Sequence, residues 1–318
     1  MPPNEFDVIA EFFAPLATSK AALGLKDDVA LLTPRAGHDI VLTTDAILDG
    51  IDFFATDPPS AIARKALRVN LSDLAAKGAE PFGYLLTLAL PKSANRTWLN
   101  AFAAGLRADQ RAFGITLLGG DLSSTPGPLT VSVTALGYVP KGKAILRRGA
   151  RPGDRVFVTG TIGDSGGGLA ALKANRREAF LIGRYRLPQP RVAFGQALRG
   201  LAHAALDVSD GLLADLGHIA EMSKVHIAVE AARVPLSAAL RKAWGKDDAA
   251  VLRAATAGDD YEIAFTAPAG KRAAIAKAAK ATKTRVTEIG FVMPGMGVRL
   301  LAADGKPIKV GKPGWAHF

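Results

Sequence analysis

The sequence predicts an α+β protein of two α+β domains, in which helices pack as one layer on mixed or antiparallel sheets. Three observations lead to this fold class. The chain has 318 residues, about two domains' worth. Hydrophobic residues make up 49% of it, which is enough for a sizeable core. Strict βαβ alternation with a G-x-G-x-x-G after the first strand is missing, which disfavours a dinucleotide-binding Rossmann fold.

The first half of the chain contains three predicted helices and four predicted strands. Apolar residues recur at helical spacing from Phe6 to Phe13, and Gly78 stands where a helix commonly ends. Pro91 ends the second strand, and the double glycine at 119–120 is expected to break the third. The helices are predicted at 5–17, 59–78 and 94–113, and the strands at 39–46, 82–91, 114–121 and 129–140.

The segment "PKGKAILRRGARPGD" (140–154) is rich in proline, glycine and arginine, as a linker or hinge would be. We therefore predict one domain at 1–140 and a second at 141–318. In the second domain, strands are predicted at 155–160, 261–268 and 284–292, and helices within 159–172, 186–198 and 271–283. The segment 204–223 is predicted to be the end of a strand, a turn and a helix.

Composition excludes several classes of protein. The chain has no cysteine, so disulfides, zinc–thiolate sites, iron–sulfur clusters and thiol nucleophiles are ruled out. Its first residues lack the basic and apolar regions of a signal peptide. No stretch approaches the ~18 apolar residues of a membrane span. We expect a cytoplasmic protein with no membrane partner.

The net charge of +11 is unevenly distributed. Residues 1–140 carry 11 Lys+Arg and 14 Asp+Glu, whereas residues 141–318 carry 29 and 15. A basic half could bind nucleic acid, but its positive residues are scattered along helices such as 271–283, as on a solvated face. A polyanionic small molecule explains the asymmetry equally well, and we predict no nucleic-acid partner.

Aspartates stand at several points where a strand or helix meets a loop. Each alone is more often a turn residue or a helix N-cap. Together with neighbouring hydroxyls they offer the hard oxygen ligands that suit Mg²⁺ or Ca²⁺, in numbers that would hold more than one ion. The aspartates are Asp27, Asp28, Asp45, Asp73, Asp121, Asp207 and Asp210, and the hydroxyls are those of Thr43, Thr44 and Ser209.

The helix at 59–78 carries Asn70 and Asp73 three residues apart, so both project from one face. Leucines at nearby positions bury the same helix, and a buried carboxylate needs a cation. A metal ion is one candidate partner for Asp73. Lys77, four residues further along, is the other.

Other catalytic patterns fit poorly. The chain has no metal-binding histidine spacing, no G-x-S-x-G elbow and no P-loop. The segment "GTIGDSGGGLA" could offer backbone N–H groups to an anion at a helix N-terminus, or it could form a plain tight turn. Phosphoryl transfer run by metal ions needs none of the missing parts, since its catalysis is mainly positioning and charge neutralisation.

Seven segments, taken in order, resemble the thiamine-monophosphate kinase family. They are "GLKDDVALL", "TTDAILDGIDFF", "ARKALRVNLSDLAAKGAEP", "LLGGDLSS", "LDVSDGLLADLGHI", "GDDYEIAF" and "GWAHF". The resemblance implies an N-terminal metal- and nucleotide-binding domain whose sheet pairs across a homodimer interface into a barrel. It also implies a C-terminal domain with a mixed sheet that closes the active site.

The resemblance implies a reaction as well. With several Mg²⁺ ions as cofactors, ATP as co-substrate would donate its γ-phosphoryl group to thiamine monophosphate, giving thiamine diphosphate and ADP. The acceptor is a phosphate monoester with a second pKa of about 6, so it is largely ionised at pH 7 and needs no general base. What it needs is charge neutralisation, because two polyanions must approach each other.

Carried over residue by residue, the resemblance implies three sets of site residues, with Asp121 and Asp210 as the catalytic ones. The metal ligands are Asp28, Thr43, Thr44, Asp45, Asp73, Asp121, Asp207 and Asp210; the ATP contacts are Gly120, Asp121, Arg147 and Ser209; the substrate contacts are Asp52, Asp259 and Trp315. Two substrate positions depart from the family pattern, which often has His in place of Asp52 and "GGED" in place of "AGDD" at 257–260. For Trp315 a plain packing role is the alternative.

Two other functions stay open at this point. One is a sister ATP-dependent synthetase of the superfamily that also holds aminoimidazole ribonucleotide synthetase and selenophosphate synthetase. This chain lacks the cysteine of the selenophosphate enzymes and the lysine that follows "TDGVG" in the aminoimidazole enzyme. The other is a basic, non-catalytic nucleic-acid-binding protein, for which steep salt dependence of binding would be the sign.

Overall fold

The computed structural model describes residues 5–315, which divide into two compact units. The first unit comprises residues 5–74 and 79–142, and the second comprises residues 75–78 and 143–315. Within the range 5–315, no helix combines the length and the apolar character needed to cross a membrane.

The first unit begins with a helical segment that changes type along its length. Helix α1 (Glu5–Val8) continues as a π-helical turn (Ile9–Phe13) and a 3-10 turn (Ala14–Leu16). The other elements are a 3-10 segment (Lys20–Leu25), β1 (His38–Leu48), α2 (Pro59–Ala76), β2 (Glu80–Pro91), α3 (Arg96–Phe113), β3 (Thr116–Thr125) and β4 (Thr130–Pro140).

The ends of the long helices follow local chemistry. Asn95 caps α3, because its side chain accepts a hydrogen bond from the Trp98 N–H at 2.9 Å. Gly114, with φ of 67°, ends α3 in the left-handed conformation that glycine tolerates. Gly78 follows α2 with φ of 70°, as the sequence predicts.

The strands of the first unit form a mixed sheet in the order β1-β4-β2-β3, antiparallel except for the β2–β3 pair. One face of this sheet is buried, and Tyr84, Leu86 and Val133 on it are at most 4% exposed. Helix α3 is tied to this face by Gln110, whose side chain donates to the Tyr84 hydroxyl at 3.2 Å.

A buried ion cluster joins α2 to α3. Asp109 is fully buried and accepts hydrogen bonds from Arg64 at 3.0 Å and from Arg68 at 2.6 and 2.8 Å. Gly105 allows the helices to approach closely, because a Cβ there would lie 2.4 Å from the Ser60 carbonyl oxygen. The two helices therefore form one layer, as predicted for this unit.

The opposite face of the sheet exposes large apolar side chains. Ile40, Leu42 and Leu85 are 40%, 61% and 40% exposed. All three lie on one face, because Leu85 pairs with Thr134, which pairs with Thr44, and alternate residues of a strand share a face. We call this surface the open sheet face, defined by Ile40, Leu42 and Leu85.

The second unit contains thirteen named elements around a six-stranded sheet. They are β5 (Asp154–Thr159), α4 (Asp164–Lys173), α5 (Ala179–Arg186), α6 (Val192–Ala197), β6 (Ala204–Asp207), α7 (Leu212–Ser223), β7 (His226–Glu230), α8 (Ala238–Trp244), α9 (Asp248–Ala255), β8 (Ile263–Pro268), α10 (Arg272–Ala281), β9 (Val286–Met293) and β10 (Gly297–Leu301). The strand order is β10-β7-β9-β5-β8-β6, with only β7 and β10 parallel.

Both faces of this second sheet are covered. Val156 and Val158 of β5 point into one core, and Phe157 between them points into the other. Apolar residues of α5, α7, α8 and α9 complete the first core, and those of α6 and α10 complete the second. The prediction of a single helical layer is therefore wrong for this unit.

One predicted strand boundary is also wrong. The double glycine was expected to break the third strand, but β3 runs through Gly119 and Gly120 to Thr125. The irregularity is instead a bulge, since Tyr84 pairs with Leu117 and the next residue of β2 pairs with Gly119. The elements that the sequence analysis did not identify are α5, α8, α9, β7 and β10.

Candidate functional site

In the first unit, oxygen ligands meet where β1 packs against α2. Thr43 and Asp45 share the face of β1 toward α2, and the Thr43 hydroxyl donates a short hydrogen bond to the Asp73 carboxylate. Asn70 is fully buried; it accepts from the Asp45 N–H at 3.1 Å and donates to the Ala66 carbonyl at 3.0 Å. Asn70 therefore ties strand to helix, and Thr43, Asp45 and Asp73 form what we call the β1–α2 site.

Thr44 points away from this site. Its hydroxyl donates to the Val133 carbonyl at 3.2 Å and accepts from the Thr134 hydroxyl at 3.0 Å. Because neighbouring residues of a strand face opposite sides, the side chains of Thr43 and Thr44 cannot bind the same ion. The Thr44 side chain therefore lies outside the β1–α2 site, and its role as a metal ligand stays a prediction.

Asp28 is a predicted metal ligand, and Lys77 is the alternative partner predicted for the Asp73 carboxylate. Asp28 is exposed in the irregular segment before β1. The Lys77 ammonium, the alternative partner for Asp73, donates to the Ala205 carbonyl at 2.9 Å. The Asp73 carboxylate has the Thr43 hydroxyl as its hydrogen-bond donor.

Gly120 and Asp121 lie on β3, at the edge of the sheet opposite to β1. Two strands stand between these edges, and three strand spacings amount to about 14 Å. Asp121 is exposed and pairs with Thr87, and a Cβ at Gly120 would lie only 1.8 Å from the Leu86 carbonyl oxygen. Within the described part of the first unit, Asp121 is thus separated from the β1–α2 site.

Asp52 lies in the loop that follows β1. Its carboxylate accepts a hydrogen bond from the Leu48 N–H at 2.8 Å, and its carbonyl accepts one from the Lys65 ammonium at 2.6 Å. Lys65 is only 2% exposed on α2. These contacts fix the loop that carries this predicted substrate contact.

The second unit gathers predicted residues around the β6–α7 loop, which runs from Asp207 to Gly211. Asp207 ends β6 and is 7% exposed, and Ser209 and Asp210 are half-buried. Asp215, in the first turn of α7, accepts hydrogen bonds from the N–H groups of Asp210 and Gly211, both at 3.1 Å. These bonds define the path of the loop.

Asp215 was missed by the sequence analysis, as was its neighbour His218. Burial is the main cause that raises the pKa of Asp215 to about 7, with the charge of Asp210 as a smaller cause. One ligand atom from each of Asp210, Asp215 and His218 lies within 4.8 Å of the others, a spacing that could hold a metal ion. The available signal was the i, i+3 spacing of Asp215 and His218 on one helix face.

Two predicted substrate contacts are bonded to the same loop. The Asp259 N–H donates to the Ser209 carbonyl at 2.7 Å, and the Trp315 N–H donates to the Asp210 carbonyl at 2.8 Å. The Trp315 ring is 58% exposed, with the Lys312 ammonium 5.7 Å from its centroid, which disfavours a plain packing role. Residues predicted for metal, nucleotide and substrate thus lie together around one loop.

Arg147 is exposed in the segment before β5, and its main chain is held in place. Its carbonyl accepts from the Ser223 hydroxyl at 3.5 Å, and the Ser223 oxygen accepts from the Gly149 N–H at 3.0 Å. The neighbouring Leu146 carbonyl accepts from the Ala205 N–H at 3.0 Å, which sets the segment beside β6.

A buried charge network lies at the end of the same loop and was also missed. Glu262 is fully buried and accepts hydrogen bonds from the Thr159 hydroxyl at 2.6 Å, from Arg184 at 2.8 Å and from Arg191 at 2.7 and 2.6 Å. We call Thr159, Arg184, Arg191 and Glu262 the Glu262 network. Glu262 belongs to the recognised segment "GDDYEIAF", but its partners lie far away in sequence.

The glycine-rich segment leads into α4, and the Asp260 carboxylate binds main-chain N–H groups at the start of this helix. Asp260 is 1% exposed and accepts from the N–H groups of Gly163 at 2.6 Å and Ser165 at 3.3 Å. Burial raises the pKa of Asp260 well above its ordinary value. Because a carboxyl group already fills this helix N-terminus, an external anion on the same N–H groups is disfavoured.

Two family models match the chain. They are the AIR synthase related protein N-terminal domain, over residues 26–139, and the AIR synthase related protein C-terminal domain, over residues 151–301. The thiamine-monophosphate kinase of Caulobacter vibrioides is 44% identical over 322 residues, covering 99% of this chain and 91% of that protein. The thiamine-monophosphate kinase of Escherichia coli K12 is 38% identical over 323 residues, covering 99% and 98%.

Solved structures of thiamine-monophosphate kinases superimpose on this chain. The thiamine-monophosphate kinase from Stenotrophomonas maltophilia K279a superimposes with a TM-score of 0.84 at 42% identity, covering 93% of this chain and 94% of that one. AaThiL, complexed with AMPPCP and TMP, superimposes with a TM-score of 0.78 at 32% identity, covering 99% and 97%.

Proposed function

This chain belongs to the thiamine-monophosphate kinase family, and we propose that it phosphorylates thiamine monophosphate with ATP. A phosphate oxygen of the acceptor forms a bond to the γ-phosphorus of ATP, the bond from that phosphorus to the β-phosphate oxygen breaks, and ADP leaves. The product is thiamine diphosphate. The observation that carries the proposal is the β6–α7 loop, around which Ser209, Asp210, Asp259 and Trp315 lie together.

Support for the two substrates comes from AaThiL, whose complex contains AMPPCP, an analogue of ATP, together with TMP. In this chain we assign Ser209 and Arg147, with Gly120 and Asp121, to ATP. Arg147 is exposed on a segment whose main chain is fixed, so its guanidinium can form charge-assisted hydrogen bonds to phosphate. Ser209 offers its hydroxyl from the β6–α7 loop.

We also propose that the chain binds several Mg²⁺ ions, and the donor chemistry fits. Asp215 lies beside Asp210 with a pKa raised by burial and by the charge of that neighbour, a repulsion that a divalent cation would relieve. When bound, Mg²⁺ neutralises phosphate oxygens and allows two polyanions to approach. The residues that would hold these ions are Asp28, Thr43, Thr44, Asp45, Asp73, Asp121, Asp207 and Asp210.

In catalysis, Asp121 and Asp210 position charged groups. Neither carboxylate transfers a proton. The acceptor phosphate is largely ionised at pH 7, because its second pKa is about 6, so a general base is not required. The loop that carries Asp210 is fixed, because the N–H groups of Asp210 and Gly211 donate to the Asp215 carboxylate.

The thiazolium ring of the acceptor is a cation, and we assign Trp315 and Asp259 to it, with Asp52. The exposed Trp315 ring already has a cation near its face, since the Lys312 ammonium lies 5.7 Å from its centroid. A thiazolium ring could take that position by cation–π attraction. The Asp259 carboxylate, close to the same loop, adds charge attraction.

We propose further that the chain forms a homodimer in which two open sheet faces pack together into a barrel. Ile40 and Leu42 expose apolar surface on a face where a lone chain would be expected to place polar residues. Covering such a face with a second copy removes this surface from water. The cytoplasmic location stays a prediction from the sequence.

The test of the reaction is direct. The purified protein is incubated with ATP, Mg²⁺ and thiamine monophosphate, and thiamine diphosphate and ADP are measured by chromatography. Equal amounts of both products are expected, and none without Mg²⁺. Release of ADP only with a different acceptor would favour a sister synthetase, and no turnover with any acceptor would refute the proposal.

A further inference from the structure

We propose that the Glu262 network is a positioning device that sets the geometry of the β6–α7 loop and of Asp259. Neither arginine of the network belongs to the residues assigned above to metal, nucleotide or substrate. The inference rests on the proposed function for its kinetic consequence only; its structural consequence can be measured without turnover.

The first step is a main-chain ladder that extends beyond the paired strands. The Val208 N–H donates to the Glu262 carbonyl at 2.8 Å, and the Tyr261 N–H donates to the Val208 carbonyl at 2.7 Å. The Asp259 N–H then donates to the Ser209 carbonyl at 2.7 Å. The β6–α7 loop therefore takes its position from the segment that ends at Glu262.

The second step is backbone strain in that segment. Asp259 and Tyr261 have φ values of 67° and 51°, in the left-handed region that favours glycine. Such conformations persist only where the surrounding structure over-determines them, and they occur often at functional sites. Some set of contacts must hold this segment against its local preference.

The third step identifies those contacts. Asp260, between the two strained residues, is anchored by N–H groups of α4, and Glu262 is anchored by three side chains. Arg191 binds both carboxylate oxygens of Glu262, a bidentate geometry that fixes orientation as well as charge. Gly160 leaves the space, since a Cβ there would lie 2.0 Å from Glu262 Oε1.

It follows that weakening the bidentate contact should loosen Asp259 and the β6–α7 loop together. Arg191→Lys keeps the positive charge but can make only a point contact with Glu262. Arg272→Lys is a matched control, because Arg272 also binds both oxygens of one carboxylate, that of Glu288, at 2.6 and 2.7 Å in the same unit. The Arg272 pair is partly exposed and joins α10 to β9.

The experiment measures hydrogen exchange and kinetics on the full chain. We expect Arg191→Lys to speed exchange of the Asp259 and Tyr261 amides, and to raise KM for thiamine monophosphate about tenfold with a smaller change in kcat, because misplaced contacts weaken orientation. Arg272→Lys should leave both unchanged. Thr159→Val removes the hydrogen bond to Glu262 and also the acceptor of the Ile263 N–H, which holds the backbone next to Glu262. It should act in the same direction and serves if Arg191→Lys does not fold.

Two results would overturn the inference. One is a folded Arg191→Lys protein in which the exchange of both amides and KM are those of the wild type. The other is a lower unfolding midpoint with no change in exchange at Asp259 relative to the rest of the unit, which would mean a purely structural role. If the wild-type protein fails to phosphorylate thiamine monophosphate, the proposed function fails, and the exchange comparison still decides the positioning role.

Discussion

At the scale of the residue, single carboxylates define both groups of oxygen ligands. Asp73 receives the Thr43 hydroxyl at the β1–α2 site, and Asp210 stands beside the buried Asp215 in the second unit. A carboxylate at such a position either binds a cation or stabilises the fold through its hydrogen bonds. Substitution by asparagine separates the two roles, because it keeps an acceptor oxygen and removes the charge.

Asp73→Asn should preserve the fold and abolish turnover. The asparagine oxygen can still accept from Thr43, so we expect the free energy of unfolding to change by no more than about 1 kcal/mol. Loss of a metal ligand should lower kcat at least about 100-fold. Asp304→Asn, at an exposed turn, is the control and should keep full activity. Wild-type turnover in Asp73→Asn would show that this carboxylate serves only the Thr43 contact.

Asp215 should make stability depend on pH. Its pKa is raised from 3.8 to about 7 on folding, so its contribution is fully present below pH 3.8 and is lost as the pH rises through about 7. In EDTA, we expect the wild type to lose about 2–3 kcal/mol between pH 5 and pH 8 relative to Asp215→Asn. Urea unfolding at both pH values measures this difference. Parallel pH profiles for the two proteins would contradict the prediction.

The Glu262 network could not be identified from the sequence because its members are distant from one another in the chain. Asp210 and Asp259 lie in recognisable segments, so resemblance was enough to select them. The role of Glu262 depends on Arg184 and Arg191, more than seventy positions away, and on complete burial. The side-chain period of β1 could have separated Thr43 from Thr44, since neighbouring strand residues face opposite sides.

At the scale of the element, periodicity located the strands and helices that carry one clear apolar pattern. Helix α3 was predicted at 94–113 and spans Arg96–Phe113, because its apolar residues recur on one face and Gly114 ends it. Short elements of the second unit, such as α8 and α9, were missed because their position depends on the sheet they cover. The prediction that the double glycine breaks the strand was wrong, because the irregularity is a bulge within a continuous strand.

The two glycines of β3 should respond very differently to a methyl group. A Cβ at Gly120 would lie 1.8 Å from the Leu86 carbonyl oxygen, whereas at Gly119 the nearest atom lies at 3.5 Å. We expect Gly120→Ala to lower the free energy of unfolding by about 2 kcal/mol or more, because the backbone of β2 must move. Gly119→Ala should change it by less than about 1 kcal/mol. Similar values for both variants by chemical denaturation would show that β3 adapts freely.

At the scale of the whole molecule, part of the positive charge of the second half is already paired. Arg184 and Arg191 neutralise the buried Glu262, and Arg272 pairs with Glu288, whose pKa is lowered chiefly by that hydrogen bond. Positive residues used in this way contribute little to a continuous basic stripe. The absence of a nucleic-acid partner stays a prediction from the sequence.

We propose that the open sheet face forms the interface of a homodimer. Leu42 is 61% exposed on this face, so Leu42→Lys should place a charge in the proposed interface and leave the chain monomeric, because a buried unpaired charge is costly. Sedimentation should give twice the chain mass of 33.1 kDa for the wild type and the single mass for the variant. Met296→Lys is the matched control, since Met296 is 71% exposed in the second unit and should leave the dimer intact. A wild type that sediments as a monomer, or a Leu42→Lys variant that remains a dimer, would show that this face is not the interface.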